Sequence, residues 1–248
     1  MVSYINSYPF VYGLMKCNTE GQFNLHLCPP SECAADAMSG QADVALIPAA
    51  ALNTISREYT LFDGFCIGAD KSVASVLLLS NTPLSKIKFI HLDTHSVTTA
   101  NLVKVLAEHY WGIKPTFEPA EIHAIKTLND GEAMIAIGDK CFDIRKNFRY
   151  VFDMYDEWFD FCQRPFVFAV WVIRKDISME QKEQLADALK FGVSHKNLAL
   201  EALLPDDKKG AFAYYLDYIT ENISYYFDEE KKNALAYFLE LINRLPTN

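Results

Sequence analysis

Three features of the sequence predict an α/β protein. Short apolar runs that read as strands alternate with helical stretches through residues 1–50. Two longer runs, Val73–Leu79 and Phe166–Ile173, are almost wholly apolar, as strands buried on both faces are. The stretch between those two runs carries its own strand and helix signals and reads as a self-contained α/β unit. The two runs are therefore read as crossings between two lobes. Residues 1–80 form the first part of lobe one, 81–170 form lobe two, and 171–248 return to lobe one with extra C-terminal helices. One continuous sheet with the two runs at its centre is the alternative that pattern leaves open.

The elements follow in order. Val2–Ile5 reads as a very short first strand. Ser7 and Pro9 are an N-cap and an early position of a helix running to Lys16. Phe23–Leu27 alternates as a second strand and stops at Pro29-Pro30. Ser31 caps a helix over Glu32–Met38 that ends at Gly40, and Val44–Ile47 is a compact strand ended by Pro48. This strand–helix alternation implies parallel pairing. Farther on, Phe89–Leu92 is a strand, Asp93–Thr99 a polar loop and Ala100–Tyr110 an amphipathic helix. Ala133–Ile137 is a strand closed by Gly138-Asp139. After Arg174 helices dominate: Met179–Ala188, Ala211–Glu221 and Asp228–Leu245. In the last, Leu235, Phe238, Leu239 and Ile242 form a stripe that reads as core packing.

Composition narrows the function. The chain has 248 residues, half of them hydrophobic, with 17 Phe, 13 Tyr and 3 Trp, so it folds around a substantial core. A formal net charge of -9 with no basic face argues against nucleic acid and anionic membranes as partners. It does not exclude a small anion, which backbone N–H groups at a helix end hold locally. The six cysteines form no C-x-x-C pair and read as reduced, mostly buried thiols. With no signal peptide and no apolar run long enough to span a bilayer, the expected location is the cytoplasm.

Most chemical motifs are missing. His91 and His95 are four apart but sit in a strand running into a loop, and His26, His109, His123 and His195 are isolated, so no metal is assigned. There is no nucleophile elbow, no Walker A sequence and no dinucleotide fingerprint. Asp153, Asp156, Glu157 and Asp160 read as a solvated acidic face with Trp158 and Phe159 turned inward. What remains is two polar strand-to-helix transitions, Tyr4–Ser7 and Ser96–Thr99. Each offers N–H groups, polar side chains and the positive end of a helix dipole. Each alone reads as N-capping; two facing one cleft would hold an anion.

Six segments in order resemble the chorismate dehydratases: VSYINSYPFVYGL at 2–14, GQADVALIPAAAL at 40–52, CIGADKSVASVLLLS at 66–80, LDTHSVTTANL at 92–102, AIGD at 136–139 and RPFVFAVW at 164–171. The likeness covers residues 2–174 and leaves the C-terminal helices generic. Two positions depart from the family pattern: Val97 replaces a usual Arg and Arg164 a common Leu. The resemblance implies a periplasmic-binding-protein-like type II fold, with two α/β lobes around a central cleft. It also implies conversion of chorismate, a dianion, to 3-[(1-carboxyvinyl)oxy]benzoate and water, in the futalosine route to menaquinone and without a cofactor. By residue type alone Asn6 reads as a turn asparagine bonding its own backbone; the match at 2–6 instead makes it the residue that orients the substrate. Ser75, Ser96, Thr98 and Thr99 are implied to bind carboxylates or hydroxyls, with Ser7 and Asp139 from the same motifs. The rival readings are a non-catalytic small-anion-binding protein of this fold and the related 1,4-dihydroxy-6-naphthoate synthase. Sequences of the latter resemble S-x-C-P-N-D-T near the start, which this chain lacks.

Overall fold

The computed structural model describes residues 4–18, 21–93, 96–121 and 127–246. Among these, nine strands form two sheets. The first sheet holds β1 (Val44–Pro48), β2 (Tyr59–Ala69), β8 (Phe166–Arg174) and β9 (Ser224–Phe227), in the order β1-β8-β2-β9. The second holds β3 (Val76–Ser80), β4 (Phe89–Asp93), β5 (Thr116–Ala120), β6 (Glu132–Ile137) and β7 (Tyr150–Asp153), in the order β5-β4-β6-β3-β7.

The expected parallel pairing holds only for β4 with its neighbours β5 and β6. β1 and β2 do not pair with each other. β8 lies between them, antiparallel to both, and β2 pairs antiparallel with β9. β3 is likewise antiparallel to β6 and β7. Local strand–helix alternation could not reveal this, because β8 arrives from more than a hundred positions away in the chain. The two long apolar runs fall in different sheets, β3 in the second and β8 in the first.

β8 is apolar from Phe166 to Ile173 because it has a neighbour on each edge and core on each face. Trp171 and Ile173 pack into one apolar cluster, Val170 and Val172 into another. The register breaks once in a way that matters. Ile67 pairs with Ala169 and Gly68 with Val167, leaving Phe168 as an extra residue in a β-bulge.

Among the described residues, two predicted strands do not form. Ile5–Ser7 is a 3-10 turn, and Val2 and Ser3 lie outside the described residues. Phe23–Leu27 alternates in burial but joins neither sheet ladder. Strands β2, β5, β7 and β9 were not anticipated. The second helix starts at Pro30 with Pro29 before it, so Ser31 lies within its first turn and is not the cap.

The helices cover the sheets. They are α1 (Tyr8–Cys17), α2 (Pro30–Met38), α3 (Val97–Leu106), α4 (Cys141–Ile144), α5 (Met154–Cys162), α6 (Met179–Ser194), α7 (Lys196–Leu203), α8 (Phe212–Asp217) and α9 (Glu229–Asn243). α6 opens with a capping box, in which the Ser178 hydroxyl accepts from Gln181 N–H and the Gln181 side chain accepts from Ser178 N–H. α1 and α6 approach closely at Gly13 and Gly192. A Cβ on Gly192 would strike the Pro9 carbonyl, and one on Gly13 the Ala188 carbonyl. The α9 stripe is core, as expected. Phe238 meets Trp158 and Phe166 edge-on at ring separations of 5.7 and 4.9 Å.

Candidate functional site

A cavity of about 620 Å³, its open mouth included, lies where the two sheets meet. Pro48, Ile67 and the Phe168 bulge wall it from the first sheet, and Val76, Ile137 and Gly138 from the second. Two polar rims close it: Tyr4 with Asn6, and Ser96 to Thr99.

The rim at α3 is a free helix N-terminus. The helix starts at Val97, not at Ala100, so Thr98 and Thr99 belong to its first turn. The first helical bond runs from Ala100 N–H to the Ser96 carbonyl at 3.0 Å. The N–H groups of the preceding turn have no intrahelical acceptor and carry the positive end of the dipole. The Ser96 side chain does not cap them. The Thr98 hydroxyl is already engaged. It donates to the Phe168 carbonyl at 3.0 Å and accepts from Ala50 N–H at 3.2 Å. The bulge frees that carbonyl from its ladder, so Thr98 holds α3 to the first sheet. Its hydroxyl acts in positioning, which leaves Ser96 and Thr99 as the hydroxyl side chains at this rim.

The rim at Asn6 is built differently. Ser7 N–H and the Ser7 hydroxyl both donate to the Tyr4 carbonyl, at 2.9 and 2.8 Å, and Tyr8 N–H donates to Ile5. The 3-10 turn thus uses the donors that the start of α1 would otherwise present. Ser7 is fully buried and does not line the cavity. Asn6 does, and its carbonyl accepts from the buried Tyr225 hydroxyl at 2.9 Å. Tyr4 lies against Gly138, where a Cβ would come within 3.0 Å of the ring and φ is 76°, so glycine is required there. Asp139, the next residue, does not line the cavity because its carboxylate is paired with Lys208.

Ser75 reaches the cavity from a strained turn. Ala74 has φ 61°, and Ser75 N–H donates to the Val73 carbonyl at 2.8 Å, the pattern of a classic γ-turn. Asp153 holds the turn, with its carboxylate accepting from Val73 N–H at 3.2 Å and Ala74 N–H at 2.7 Å. It also caps α5 through Tyr155 N–H at 3.0 Å. Tyr218 donates to the Ser75 hydroxyl at 2.7 Å. Burial pushes the Tyr218 hydroxyl above the ordinary phenol range, while its hydrogen bonds to Ser75 and the Asn6 side chain act the other way. It is a neutral donor to Ser75.

The acidic stretch is a solvated face only in part: Asp156 and Asp160 are exposed, whereas Asp153 and Glu157 are half-buried. Asp153 holds the γ-turn, Asp156 accepts from the Ser72 hydroxyl at 2.7 Å, and Glu157 accepts from Trp111 Nε1–H at 2.7 Å. Trp158 is buried as expected, but Phe159 is exposed. His91 sits in β4 between Glu118 and Glu132, each 3.7 Å away, and His95 lies outside the described residues.

Among the described residues lining the cavity there is no carboxylate, ammonium or guanidinium. The nearby Lys140 and Asp93 neutralise each other at 2.9 Å. Burial, with Asp93 and Asp139 adding to it, pushes the Tyr4 hydroxyl up to about 12. The local field comes from the α3 dipole, one amide and several neutral hydroxyls.

A family model described as menaquinone biosynthesis matches residues 1–244. The chain belongs to this menaquinone biosynthesis family. Its role thus lies in making that quinone. Among solved structures it is similar to a protein from Archaeoglobus fulgidus, at TM-score 0.69 and 16% identity, over 98% of this chain and 95% of that one. A protein from Bordetella bronchiseptica matches at TM-score 0.70 and 13% identity, over 99% and 91%. The periplasmic aliphatic sulphonate-binding protein of Escherichia coli matches at TM-score 0.57 and 13% identity, over 98% and 84%. At such identities the likeness carries the fold, which is periplasmic-binding-protein-like. No helix among the described residues is long and apolar enough to cross a membrane.

Of the sequence-predicted residues of this family member, Asn6, Ser75, Ser96, Thr98 and Thr99 meet in one cavity, and Ser7 and Asp139 do not. Val97 is at the rim and 38% exposed. Arg164 is elsewhere, over the Tyr237 ring at 5.0 Å. Sequence reasoning missed Asp153, Tyr218 and Tyr225. The one available signal was two tyrosines without another assigned task.

Proposed function

We propose that this protein is a chorismate dehydratase, eliminating water from chorismate to give 3-[(1-carboxyvinyl)oxy]benzoate. The observation that carries the reading is a neutral, dipole-lined cavity between the two sheets in a menaquinone-biosynthesis chain. In this reading the α3 N-terminus, with Ser96 and Thr99, takes one carboxylate of the dianion. Asn6 and Ser75 orient the ring, since an amide donates to one oxygen while accepting from another.

The reaction breaks the C–H bond at the ether-bearing ring carbon and the C–O bond to the neighbouring hydroxyl. The C–H electron pair becomes part of the aromatic ring, and proton and hydroxide leave as water. Aromatisation supplies the driving force, so the protein need only orient the substrate and stabilise the departing hydroxyl. Fixed neutral donors in a drier cavity suit that task. The proton acceptor in this reading is the substrate's enolpyruvyl carboxylate.

Purified protein incubated with chorismate, without added metal or nucleotide, is expected to yield an aromatic product lighter by one water in mass spectrometry. Unchanged chorismate in the presence of folded protein would overturn the reading. If chorismate is bound yet unchanged, the chain is a small-anion-binding protein of this fold.

A further inference from the structure

The stretch leading into α2 brings together residues that the cavity does not use. His26 and Cys28 are two apart in an extended segment, a spacing that turns both side chains to one side. Cys33 and Asp36 are three apart on α2, a spacing that places them on one helix face. The Pro29-Pro30 turn between them folds that face against the extended segment. As a result Cys28 Sγ and Cys33 Sγ are 3.0 Å apart, and His26 Nδ1 and Asp36 Oδ2 are 3.3 Å apart. The ligand atoms of His26, Cys28 and Asp36 all lie within 4.8 Å of one another.

We infer that His26, Cys28, Cys33 and Asp36 form a site for one divalent, thiophilic metal ion of the zinc class. Two thiolates, an imidazole and a carboxylate are a donor set such an ion accepts. Bonds of about 2.0–2.3 Å in a tetrahedron separate ligands by roughly 3.3–3.8 Å. The thiol pair must open and the other donors close to reach that spacing. The His26 side chain is 73% exposed and gives the ion a path from solvent. Cys28 and Cys33 are buried and supply the inner half of the site. The ion would pin the Pro29-Pro30 turn, and Pro30 walls the cavity. The site does not depend on which reaction the cavity performs.

The test uses the full chain, stripped with a chelator and kept reduced. Titration with Zn(II) against a chromophoric chelator is expected to show one ion per chain. Co(II) as a probe is expected to give the intense thiolate-to-cobalt charge-transfer absorption. Cys28→Ser is expected to remove much of that absorption and weaken binding by about 10-fold or more. His26→Ala alters an exposed side chain, so it keeps the fold, and it should also weaken binding. No competition for Zn(II) by the reduced chain would overturn the site. So would a Co(II) spectrum that Cys28→Ser leaves unchanged. A Cys28–Cys33 disulfide under oxidant, with no ion held under reductant, would replace the metal site by a redox pair.

Discussion

The two transitions that look alike in sequence, Tyr4–Ser7 and Ser96–Thr99, do different things in the fold. At α3 the first-turn N–H groups lack intrahelical acceptors, and Ser96 to Thr99 line the cavity. At α1 a 3-10 turn bonds the N–H groups of Ser7 and Tyr8 before the helix begins. In the proposed reading the first is an electrostatic binding end and the second a rigid mount for one side chain, Asn6. A polar strand-to-helix segment is therefore not enough to mark an anion site. What decides is whether the chain uses its own donors first. The expected division of labour is binding at α3 and orientation at Asn6.

The largest expected effect belongs to the mount. Asn6→Ala should lower kcat by roughly 10²-fold or more, as loss of one preorganised hydrogen-bonding group does. The fold should hold, because the turn is bonded through Ser7 and backbone. Steady-state kinetics beside a thermal melt checks both halves.

Thr98→Val comes next. It leaves the Phe168 carbonyl and Ala50 N–H without their shared partner in a buried setting. A cost of about 1–3 kcal/mol is expected, read by denaturant unfolding, with KM rising as α3 loosens from the first sheet. An unchanged midpoint would mean that Thr98 does not tie α3 down. Ser96→Ala and Thr99→Val should each raise KM by a few-fold with kcat nearly constant, since uniform binding is what they remove. A fall in kcat alone would assign the α3 rim to the chemistry.

Asp153 gives the smallest effect, and it depends on pH. Burial raises its carboxyl above the ordinary value, with its backbone hydrogen bonds, led by the one from Ala74, opposing that shift. The folded protein therefore holds this proton more tightly than the unfolded chain. Its stabilising contribution is full below the ordinary aspartate range and is lost as pH rises through the raised value. Unfolding free energy measured across that window should show a downward component in the native protein that Asp153→Asn lacks. Parallel profiles for the two proteins would remove this group from the balance.

What could be read from the sequence was local or carried by motif. The α3 rim, Ser75 and Asn6 stand in short segments whose order is specific, and all reach the cavity. Within the acidic stretch Asp153 departs from the expected solvated face because its hydrogen bonds go to Val73 and Ala74, far away in sequence and invisible to periodicity. Tyr218 and Tyr225 were missed for the same reason, in a C-terminal region that looked generic. β2 was missed because Asp63-Gly64 interrupts its apolar pattern and reads as a turn, whereas here the break shifts register and Gly64 pairs with Phe227 of β9. Phe23–Leu27 shows the converse. Alternation predicts which side chains turn inward, but a strand also needs a ladder partner.

The division of labour between the two rims is tested most directly on one variant. Chorismate binding to Asn6→Ala is measured by calorimetry while product formation is followed by mass spectrometry. The account expects Kd to stay within a few-fold of the native value while product formation falls by roughly 10²-fold. Native turnover in the variant, or binding lost to the same extent as turnover, would contradict it.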